Sequence, residues 1–265
     1  MAKVLLSFII PTFNSEKTIG RCLSSIPKRK DVEIIVVDNF SADSTLNICK
    51  RHGAKVYQMK STIAKARNYG ANRSSGEYVV RLDSDEAISE PLFYELIEAL
   101  EKHKPDVAWA FRGGMGYWQQ VITAINDAHC SYFYGMPYKL GVPIAYRKEL
   151  FLRFSQDEML HWYEDAEQME RMSPVVRTTV TLKNPVFHLP VGLKDITQKR
   201  IRLRGLSPSQ THKLRRPKKD AKSYAYRYLY ILRRHPLQFP GAILLAEIST
   251  LLRLIRRLRM PSIGV

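Results

Sequence analysis

Three acidic side chains lie within four positions in the stretch GEYVVRLDSDEAISEP, residues 76 to 91. Asp83, Asp85 and Glu86 directly follow an apolar run of strand length. Carboxylates this close repel one another, and each loses hydration where a buried strand meets its loop. A bound cation would relieve both effects. The alternative is a helix N-terminus, because the helix dipole favours acidic residues and a helical pattern follows.

Polar side chains also follow two other predicted strands. Pro11, Thr12 and Asn14 come after the first apolar run, and Asp38 and Asn39 come after the second. In parallel sheets, ligands bind at the edge formed by the carboxyl ends of the strands. Acids at separate strand ends therefore favour a ligand site over helix capping. Neither GxGxxG nor GxxxxGK[ST] occurs, so dinucleotide binding of the Rossmann type and P-loop chemistry are poorly supported.

The elements that must position these residues alternate between strand and helix over the first hundred residues. Four apolar runs of strand length are each followed by a helical pattern; they are VLLSFII, VEIIVVDN, AKVYQM and EYVVRLD. Continuous Val/Ile-rich strands separated by helices are typical of a mostly parallel sheet covered on both faces. The sequence therefore predicts an α/β fold.

The composition indicates an ordered protein in a reducing compartment. The chain has 265 residues, of which 45% are hydrophobic and 10% aromatic, enough for one α/β domain and an appendage. Its three cysteines, Cys22, Cys49 and Cys130, form no CxxC pair, which argues against a disulfide framework. Pro11 and Asn14 interrupt the N-terminal apolar run, which is therefore expected to be a strand and not a signal peptide.

Three blocks of the sequence resemble the N-terminal half of the family 2 glycosyltransferases, which have the GT-A fold. They are SFIIPTFNSEKTIGRCLSSI, EIIVVDNFSADST and KARNYGANRSSGEYVVRLDSDE, in this order and spacing. Later segments, up to about residue 205, resemble the acceptor-side and closing segments of that family more loosely. The resemblance implies nucleotide-sugar binding by residues 1–100 and an acceptor side in residues 101–205. Beyond it, charge and periodicity predict a basic amphipathic helical extension over 206–265.

The resemblance also implies a nucleotide-sugar donor, either a UDP- or a GDP-sugar, and a divalent ion, Mn²⁺ or Mg²⁺. The DxD motif of the family matches Asp83 and Asp85. A hard cation held by carboxylate oxygens would neutralise charge on the diphosphate leaving group. In a number of family members a histidine at the place of His188 approaches the metal or the diphosphate. A structural histidine is the alternative there.

The same matching assigns a set of residues to the donor. They are Pro11, Thr12, Asn14, Glu16, Asp38, Asp43, Lys65, Arg67, Asp83, Arg200 and Arg204. Asp38 is expected to accept a hydrogen bond from the base, with a turn-forming aspartate as the alternative. Glu16 is either a donor contact or a first-turn helix acid. Lys65 and Arg67 lie at i and i+2 of a helix and do not share a face, so we expect one of them to contact the donor.

The resemblance assigns the catalytic base to Asp165. In inverting members, an Asp in an ED pair removes the proton from the attacking acceptor hydroxyl, and Glu164 precedes Asp165 in HWYEDAEQMERM. Such a base needs reach to the acceptor and a suitable pKa. The alternative is an exposed helix acid. The later segment TQKRIRLRG departs from the QxxRW pattern of the family because it has no Trp, which disfavours a processive polysaccharide synthase. Arg200 or Arg204 is still expected to cover the diphosphate.

Positive charge is concentrated in the C-terminal third. The net charge is +17, and residues 194–259 carry 18 Lys and Arg against 3 acidic residues, which leaves +2 for the rest. This asymmetry predicts an anionic partner: membrane phospholipid, lipid-linked phosphate or nucleic acid. Six apolar residues fall on one helical stripe there, namely Leu244, Ile248, Leu251, Leu252, Ile255 and Leu258. We expect this helix to lie on an anionic membrane surface, with an ordinary helical hairpin as the alternative.

Together these features predict a metal-dependent, inverting glycosyltransferase at the cytoplasmic face of the cell membrane. It would act peripherally and transfer a sugar to a lipid-linked or glycan acceptor. A polyprenyl-phosphate glycosyl synthase, of the dolichyl-phosphate mannose or glucose type, is the first alternative, and its ionised acceptor would need no base. A nucleic-acid-binding protein leaves the acids at three strand ends unexplained, so no nucleic acid is expected. A catalytically inert homologue acting as a partner subunit is the third alternative.

Overall fold

The structure is a computed structural model that describes residues 4–134, 142–161, 164–190, 192–194 and 221–259. The described chain forms two compact units. The first comprises residues 4–113, 142–161 and 164–189, and the second comprises residues 114–134, 190, 192–194 and 221–259. Residues 114–134 belong to the second unit, whereas the sequence places them on the acceptor side. The functional boundary at residue 205 lies outside the described residues and stays a prediction.

Among the described residues, the first unit contains the strands and six of the helices. The strands are β1 (Leu6–Thr12), β2 (Val32–Asp38), β3 (Lys55–Gln58), β4 (Tyr78–Arg81), β5 (Glu86–Ile88), β6 (Val107–Ala110), β7 (Arg112–Gly114), β8 (Val142–Arg147), β9 (Thr179–Thr181) and β10 (Val186–His188). The helices of the described residues are α1 (Ile19–Ser24), α2 (Thr45–Arg51), α3 (Ile63–Arg73), α4 (Glu90–His103), α5 (Tyr117–Tyr134), α6 (Lys148–Arg153), α7 (Glu164–Met172), α8 (Ala221–Arg234) and α9 (Phe239–Arg259), with a 3₁₀ turn at Pro236–Gln238.

A seven-stranded sheet in the order β3-β2-β1-β4-β8-β6-β9 organises the first unit. Strands β1 to β4 are parallel to one another, and β6 is parallel to β9. Strand β8 runs antiparallel to both β4 and β6. A second sheet has the order β5-β10-β7. The prediction of a mostly parallel, mixed α/β sheet is therefore confirmed.

Alternation along β1 builds a core on each face of the sheet. Leu6, Phe8 and Ile10 belong to the cluster that includes α1, α2 and α4, whereas Ile9 belongs to the cluster that includes α3, α6 and α7. Side chains at successive strand positions point to opposite faces. Since both faces are covered there, the central parallel strands β1, β2 and β4 are largely apolar, and polar residues follow at the carboxyl edge.

Helix α4 begins after the acidic cluster. Its N-cap is Ser89, whose hydroxyl accepts a hydrogen bond from the Leu92 N–H, and Glu90 is the acid of its first turn. Asp83 and Asp85 lie before this cap, and Glu86 begins β5. The acids are therefore not the first turn of the following helix, and helix capping does not explain them.

The second unit is built from helices. Val121 and Ala124 of α5, Ile231 of α8, and Ala242 and Leu245 of α9 form a buried cluster. Gly241 lets α9 approach α5 closely, because a Cβ at this position would lie 2.7 Å from a Val121 methyl carbon. Among the described residues, no helix is long and apolar enough to cross a membrane.

A buried carboxylate stabilises the opposite, amino-terminal end of the sheet. Glu33 at the start of β2 accepts hydrogen bonds from the Ser7 hydroxyl (2.6 Å), the Lys55 ammonium (2.6 Å) and the N–H groups of Ser75 and Gly76. Burial raises the pKa of Glu33, but Lys55, Ser7 and Ser75 outweigh burial and hold that pKa below its usual value. The Glu33 carboxylate thus connects β2 to β1, to β3 and to the backbone at residues 75–76.

We expect Glu33→Gln to lower the free energy of unfolding by about 1–3 kcal/mol, because buried donors lose a charged acceptor. The pKa of Glu33 is lower in the folded state, so its stabilisation is present above the unfolded pKa and is lost as the pH falls through the folded pKa. Urea unfolding of both proteins across the acidic range measures this, and the difference between them should shrink as the pH falls. Glu98→Gln, on the exposed face of α4, is the control. A constant difference at all pH values would contradict this account.

Candidate active site

The carboxyl ends of β1 and β2 lie side by side. Thr12 and Asp38 are register partners, and the Asn39 N–H donates to the Thr12 carbonyl at 2.9 Å. The Thr12 hydroxyl oxygen is buried and has no hydrogen-bond partner within the described residues. Pro11 precedes it in β1 and is half-buried. The two strand ends that the sequence assigns to the nucleotide thus form one edge, with an unsatisfied hydroxyl on it.

Asp38 is fully buried, and its carboxylate is held from within the chain. The Ser41 N–H donates to Oδ2 at 2.9 Å, the Ser41 hydroxyl donates to Oδ1, and Gln58 Nε2 donates to Oδ2 at 3.2 Å. These bonds fix the turn after β2. Asp38 therefore already has a turn-forming role, and its contact with a base stays a prediction.

Hydrogen bonds tie the loop after β1 to the loop after β2. The Ala42 N–H donates to Asn14 Oδ1 at 2.9 Å, and the backbone of Asn14 adopts φ 47°. The Glu16 N–H donates to Asp43 Oδ2, and the Ser44 N–H donates to Glu16 Oε2, each at 3.1 Å. Glu16 and Asp43 therefore shape this edge through the backbone, and their contact with a donor stays a prediction.

The two cationic residues of α3 that are assigned to the donor lie in different environments. Lys65 is exposed, whereas Arg67 is buried at 3% exposure. Arg67 Nη2 lies 2.6 Å from Asp83 Oδ1, and its Nη1 lies 2.7 Å from Glu164 Oε1. Arg67 thus bridges the DxD segment and the first turn of α7, which brings the two acidic stretches of the sequence together.

Two further arginines complete this cluster. Arg81, the last residue of β4, places Nη1 3.0 Å from Asp165 Oδ2. Arg112 of β7 places Nε 2.8 Å from Glu86 Oε1 and Nη2 3.8 Å from Asp83 Oδ2. The sequence analysis missed both. The sequence does contain an indication that Arg81 has a role, because a charged residue interrupts an otherwise apolar strand. It contains no such indication for Arg112.

The arginines set the charge state of the acids. Burial raises the pKa of Asp83, but the charges of Arg67, Arg112 and Arg81 outweigh it and hold that pKa far below its usual range. Burial likewise raises the pKa of Asp165, and the same three arginines, Arg81 foremost, lower it overall. Both carboxyls are therefore ionised in the folded protein at neutral pH.

The acidic residues suit a hard divalent ion by their chemistry. Asp83 and Asp85 present oxygen ligands of the kind that Mg²⁺ and Mn²⁺ prefer. In the part of the chain that the structure describes, no group of three or more His, Cys, Asp or Glu side chains is arranged to hold a metal ion. Mg²⁺ commonly takes one or two carboxylates and completes its shell with phosphate oxygens and water. The residues present fit a metal that arrives with a diphosphate.

His188 lies beside this cluster on β10. It is the antiparallel register partner of Glu86, and its Nε2 lies 3.7 Å from Glu86 Oε1. Its Nδ1 is buried with no hydrogen-bond partner among the described residues. Its role as a metal ligand stays a prediction. Arg200 and Arg204, the other two cations assigned to the donor, lie outside the described residues.

Residues 7–139 match the model of glycosyl transferase family 2. The poly(ribitol-phosphate) β-N-acetylglucosaminyltransferase TarS of Staphylococcus aureus is 33% identical over 112 residues, which are 38% of this chain and 20% of TarS. The chain therefore matches about a fifth of the length of this relative.

Two solved structures show the same fold. Residues 1–349 of S. aureus TarS in complex with UDP-GlcNAc align with a TM-score of 0.58 at 20% identity, covering 86% of this chain and 67% of that one. Glucosyl-3-phosphoglycerate synthase of Mycobacterium tuberculosis, with Mn²⁺, UDP and glucosyl-3-phosphoglycerate, aligns with a TM-score of 0.53 at 22% identity, covering 74% and 75%. The family match spans half of the sequence, and the chain belongs to glycosyl transferase family 2.

Proposed function

We propose that this protein transfers a sugar from a UDP- or GDP-sugar to a hydroxyl of a lipid-linked or glycan acceptor, with inversion. One observation carries the proposal: Arg67 bonds both Asp83 and Glu164. This bridge joins the first turn of α7, which contains the proposed base Asp165, to Asp83 at the carboxyl edge of the sheet. Donor-side and acceptor-side groups must meet in this way for a single displacement at the anomeric carbon.

The comparisons support a nucleotide-sugar donor and a metal. TarS has been solved with UDP-GlcNAc, and glucosyl-3-phosphoglycerate synthase with Mn²⁺ and UDP. When bound, a divalent ion held by Asp83 and Asp85 supplies positive charge to the diphosphate leaving group. Arg67 and Arg112 also direct positive charge at Asp83, so the diphosphate would enter a site with cations on more than one side.

The charge state of Asp165 supports a hydroxyl acceptor. The lowered pKa of this carboxyl keeps it ionised at neutral pH, which is the state in which a general base acts. An ionised phosphate acceptor, as in a polyprenyl-phosphate synthase, requires no base. The side chain of Asp165 is 26% exposed, so an acceptor hydroxyl can reach it from solvent.

A donor screen by thermal unfolding tests the proposal. UDP-GlcNAc, UDP-glucose, UDP-galactose, GDP-mannose and CMP-sialic acid are compared with and without Mn²⁺. A ligand at about a hundred times its Kd adds about 2.7 kcal/mol to the free energy of unfolding. We expect a UDP- or GDP-sugar to stabilise the protein more with Mn²⁺, and to release its nucleotide slowly when water is the acceptor. The proposed function would be overturned if none of these donors stabilised the protein and if the protein bound RNA tightly in a salt-dependent manner.

Asp38→Asn should weaken donor binding more than it lowers kcat at saturating donor. A base contact is made equally in the ground state and the transition state, so it acts on binding. Asn keeps the size of the side chain and an acceptor for Ser41, which limits distortion of the turn. Isothermal titration and steady-state kinetics separate the two effects. Ser41→Ala, which removes one partner of Asp38 in the turn, is the control for that distortion. A large loss of kcat with unchanged donor affinity would contradict the assignment.

We also propose that the second unit docks on an anionic membrane at the cytoplasmic face. Five large aliphatic side chains of the unit are exposed: Leu229, Leu232, Leu237, Ile243 and Leu244. Leu237, in the 3₁₀ turn between α8 and α9, is 78% exposed. Arg233 and Arg234 are exposed beside this turn. Exposed leucines with flanking arginines suit the interface of a bilayer that carries negative lipids.

The double variant Leu232→Ser, Leu237→Ser should lower binding to phosphatidylglycerol vesicles by about tenfold or more. Each leucine that enters the bilayer contributes about 1.5–3 kcal/mol when fully buried. Vesicle sedimentation at two salt concentrations measures the effect, and wild-type binding should weaken with salt without vanishing. Met159→Ser, at a site 75% exposed in the first unit, is the control. Equal binding of wild type and variant would place the membrane contact elsewhere.

A further inference from the structure

We propose that Arg81 is a positioning residue for Asp165, one that holds the carboxylate of the base in a fixed orientation. This inference rests on the proposed function, because it takes Asp165 to be the base. It assigns a role to a side chain that lies in the sheet and that neither the DxD motif nor the ED pair contains.

Arg81 lies on a face where an apolar residue is expected. It is the register partner of Ile9 in β1, and it points to the same face as Val79, two positions earlier in β4. Ile9 and Val79 both belong to the buried cluster on that face. Arg81 itself is 4% exposed. Moving a guanidinium into such a position costs several kcal/mol unless it is paired, and an apolar side chain would pack there at no such cost.

The ion pair with Asp165 compensates that charge. Arg81 Nη1 lies 3.0 Å from Asp165 Oδ2, and among the described residues no other carboxylate lies within ion-pair distance of Arg81. Asp165 Oδ1 accepts the Ala166 N–H at 2.9 Å. Strand β4 thus contacts one carboxylate oxygen through this ion pair, and the helix backbone donates to the other. The side chain of Asp165 is 26% exposed, which leaves it accessible to an acceptor.

This arrangement matches what a general base requires. A base acts on a hydroxyl only within a narrow range of distance and direction, and a displacement of about 1 Å costs on the order of 10²-fold in rate. Residues 154–161, between α6 and α7, form no helix or strand, so contacts with neighbouring elements fix where the first turn of α7 lies. Arg67 supplies one such contact at Glu164. Arg81 supplies another at Asp165 from a buried strand, where its own position is set by the ladder with β1.

Several charged and titratable groups face Asp165. Arg81 of β4, Arg67 of α3 and Arg112 of β7 lower its pKa against the effect of burial, and the buried Tyr146 of β8 interacts with it as well. Arg67 and Arg112 have acidic partners of their own at shorter distances. Removing Arg81 therefore removes the nearest positive charge, and the pKa of Asp165 should rise.

The experiment is a double-mutant cycle between Arg81→Met and Asp165→Asn, with Arg81→Lys as the conservative variant. The rate measured is release of the nucleoside diphosphate from the donor found in the screen, with water as acceptor, in the full chain. Thermal unfolding and donor titration on each variant verify that it is folded and binds donor. Arg147→Met is the matched control, because Arg147 of β8 also pairs with carboxylates, Glu77 and Asp106, at the opposite end of the sheet.

We expect Arg81→Met to lower kcat on the order of 10²-fold with the KM for donor nearly unchanged. The acid limb of its pH–rate profile should move to higher pH, and Arg81→Lys should recover part of the rate. In the Asp165→Asn background, Arg81→Met should change kcat by less than about threefold, since the two residues act as a unit. Arg147→Met should lower the melting temperature without moving kcat.

Three results would overturn the inference. Losses in kcat that multiply in the double variant would show that Arg81 acts independently of Asp165. A folded Arg81→Met protein with wild-type kcat and pH profile would make the pair purely structural. If Arg81→Met does not fold, then Arg81→Lys provides the test, because it keeps the charge. A kcat and a pH–rate profile equal to those of wild type would reject the positioning role. Full activity of the Asp165→Asn single variant would instead contradict the proposed function, because it would show that Asp165 is not the base.

Discussion

Asp165→Asn is expected to lower kcat by about 10²–10⁴-fold with little change in donor affinity, because general-base catalysis contributes on this order. Asn is isosteric with Asp and still offers Arg81 an oxygen, so the buried guanidinium keeps one partner. The amide cannot take the proton of the attacking hydroxyl. Single-turnover kinetics with excess enzyme measure the chemical step, and donor titration shows that binding is retained.

The neighbouring acid Glu167 provides the matched control for this variant. It lies two positions further along α7 and pairs with Arg171, so Glu167→Gln removes a helix carboxylate without touching Arg81 or Arg67. Its kcat should equal that of wild type. If Asp165→Asn keeps wild-type activity toward a polyprenyl phosphate, the acceptor is already ionised, and the protein is a polyprenyl-phosphate glycosyl synthase. If it keeps activity toward a hydroxyl acceptor, Asp165 is not the base.

The strand ends were predictable because they depend on local pattern. A parallel strand covered on both faces is a continuous apolar run, so its first polar residues mark the carboxyl edge. This placed Thr12, Asp38 and Asp83 at one edge, and the structure confirms the sheet that brings them there. In the structure, Ser89 is the N-cap of the following helix and Glu90 is its first residue, so Asp85 lies outside that helix.

The arginine cluster was not predictable from spacing. The clustering of the acids predicts a compensating cation, and the family resemblance implies that this cation is a metal. In the structure, Arg67, Arg81 and Arg112 already lie against four of the acids of the site. The arginines come from α3, β4 and β7, and their partners come from the loop after β4, from β5 and from α7, so no local periodicity relates these elements. A charged residue in a buried strand, such as Arg81, is the signal that was available.

The C-terminal stripe shows a second limit of periodicity. Leu244 was assigned to a membrane-facing stripe, and it is exposed. Leu245 and Ala242, the next positions around the helix, are buried against α5. Periodicity identifies two faces of a helix but not what covers each of them. Deleting α9 would therefore remove part of the core of the second unit, and substitutions at exposed positions such as Leu237 test the membrane contact more cleanly.

The metal is expected to matter even though arginines already neutralise part of the acidic cluster. Asp85→Ala should lower the rate by about 10³-fold or more, because the loss of several kcal/mol of charge stabilisation in the transition state corresponds to that factor. Arg67 and Arg112 bind the side of the cluster formed by Asp83 and Glu86. A diphosphate carries more negative charge than these two arginines can offset while they remain paired with carboxylates.

Metal binding provides a readout that does not depend on turnover. Titration of Mn²⁺ followed by electron paramagnetic resonance, in the presence of UDP, should show a tight site in wild type and none in Asp85→Ala. The fold should persist, since Asp85 lies in a loop after the strand and is half-exposed. Asp157→Ala, at an exposed turn of the same unit, should bind Mn²⁺ like wild type. Full activity of wild type in chelator would show that the arginines alone carry the charge of the leaving group, and Asp85 would then have no metal to hold.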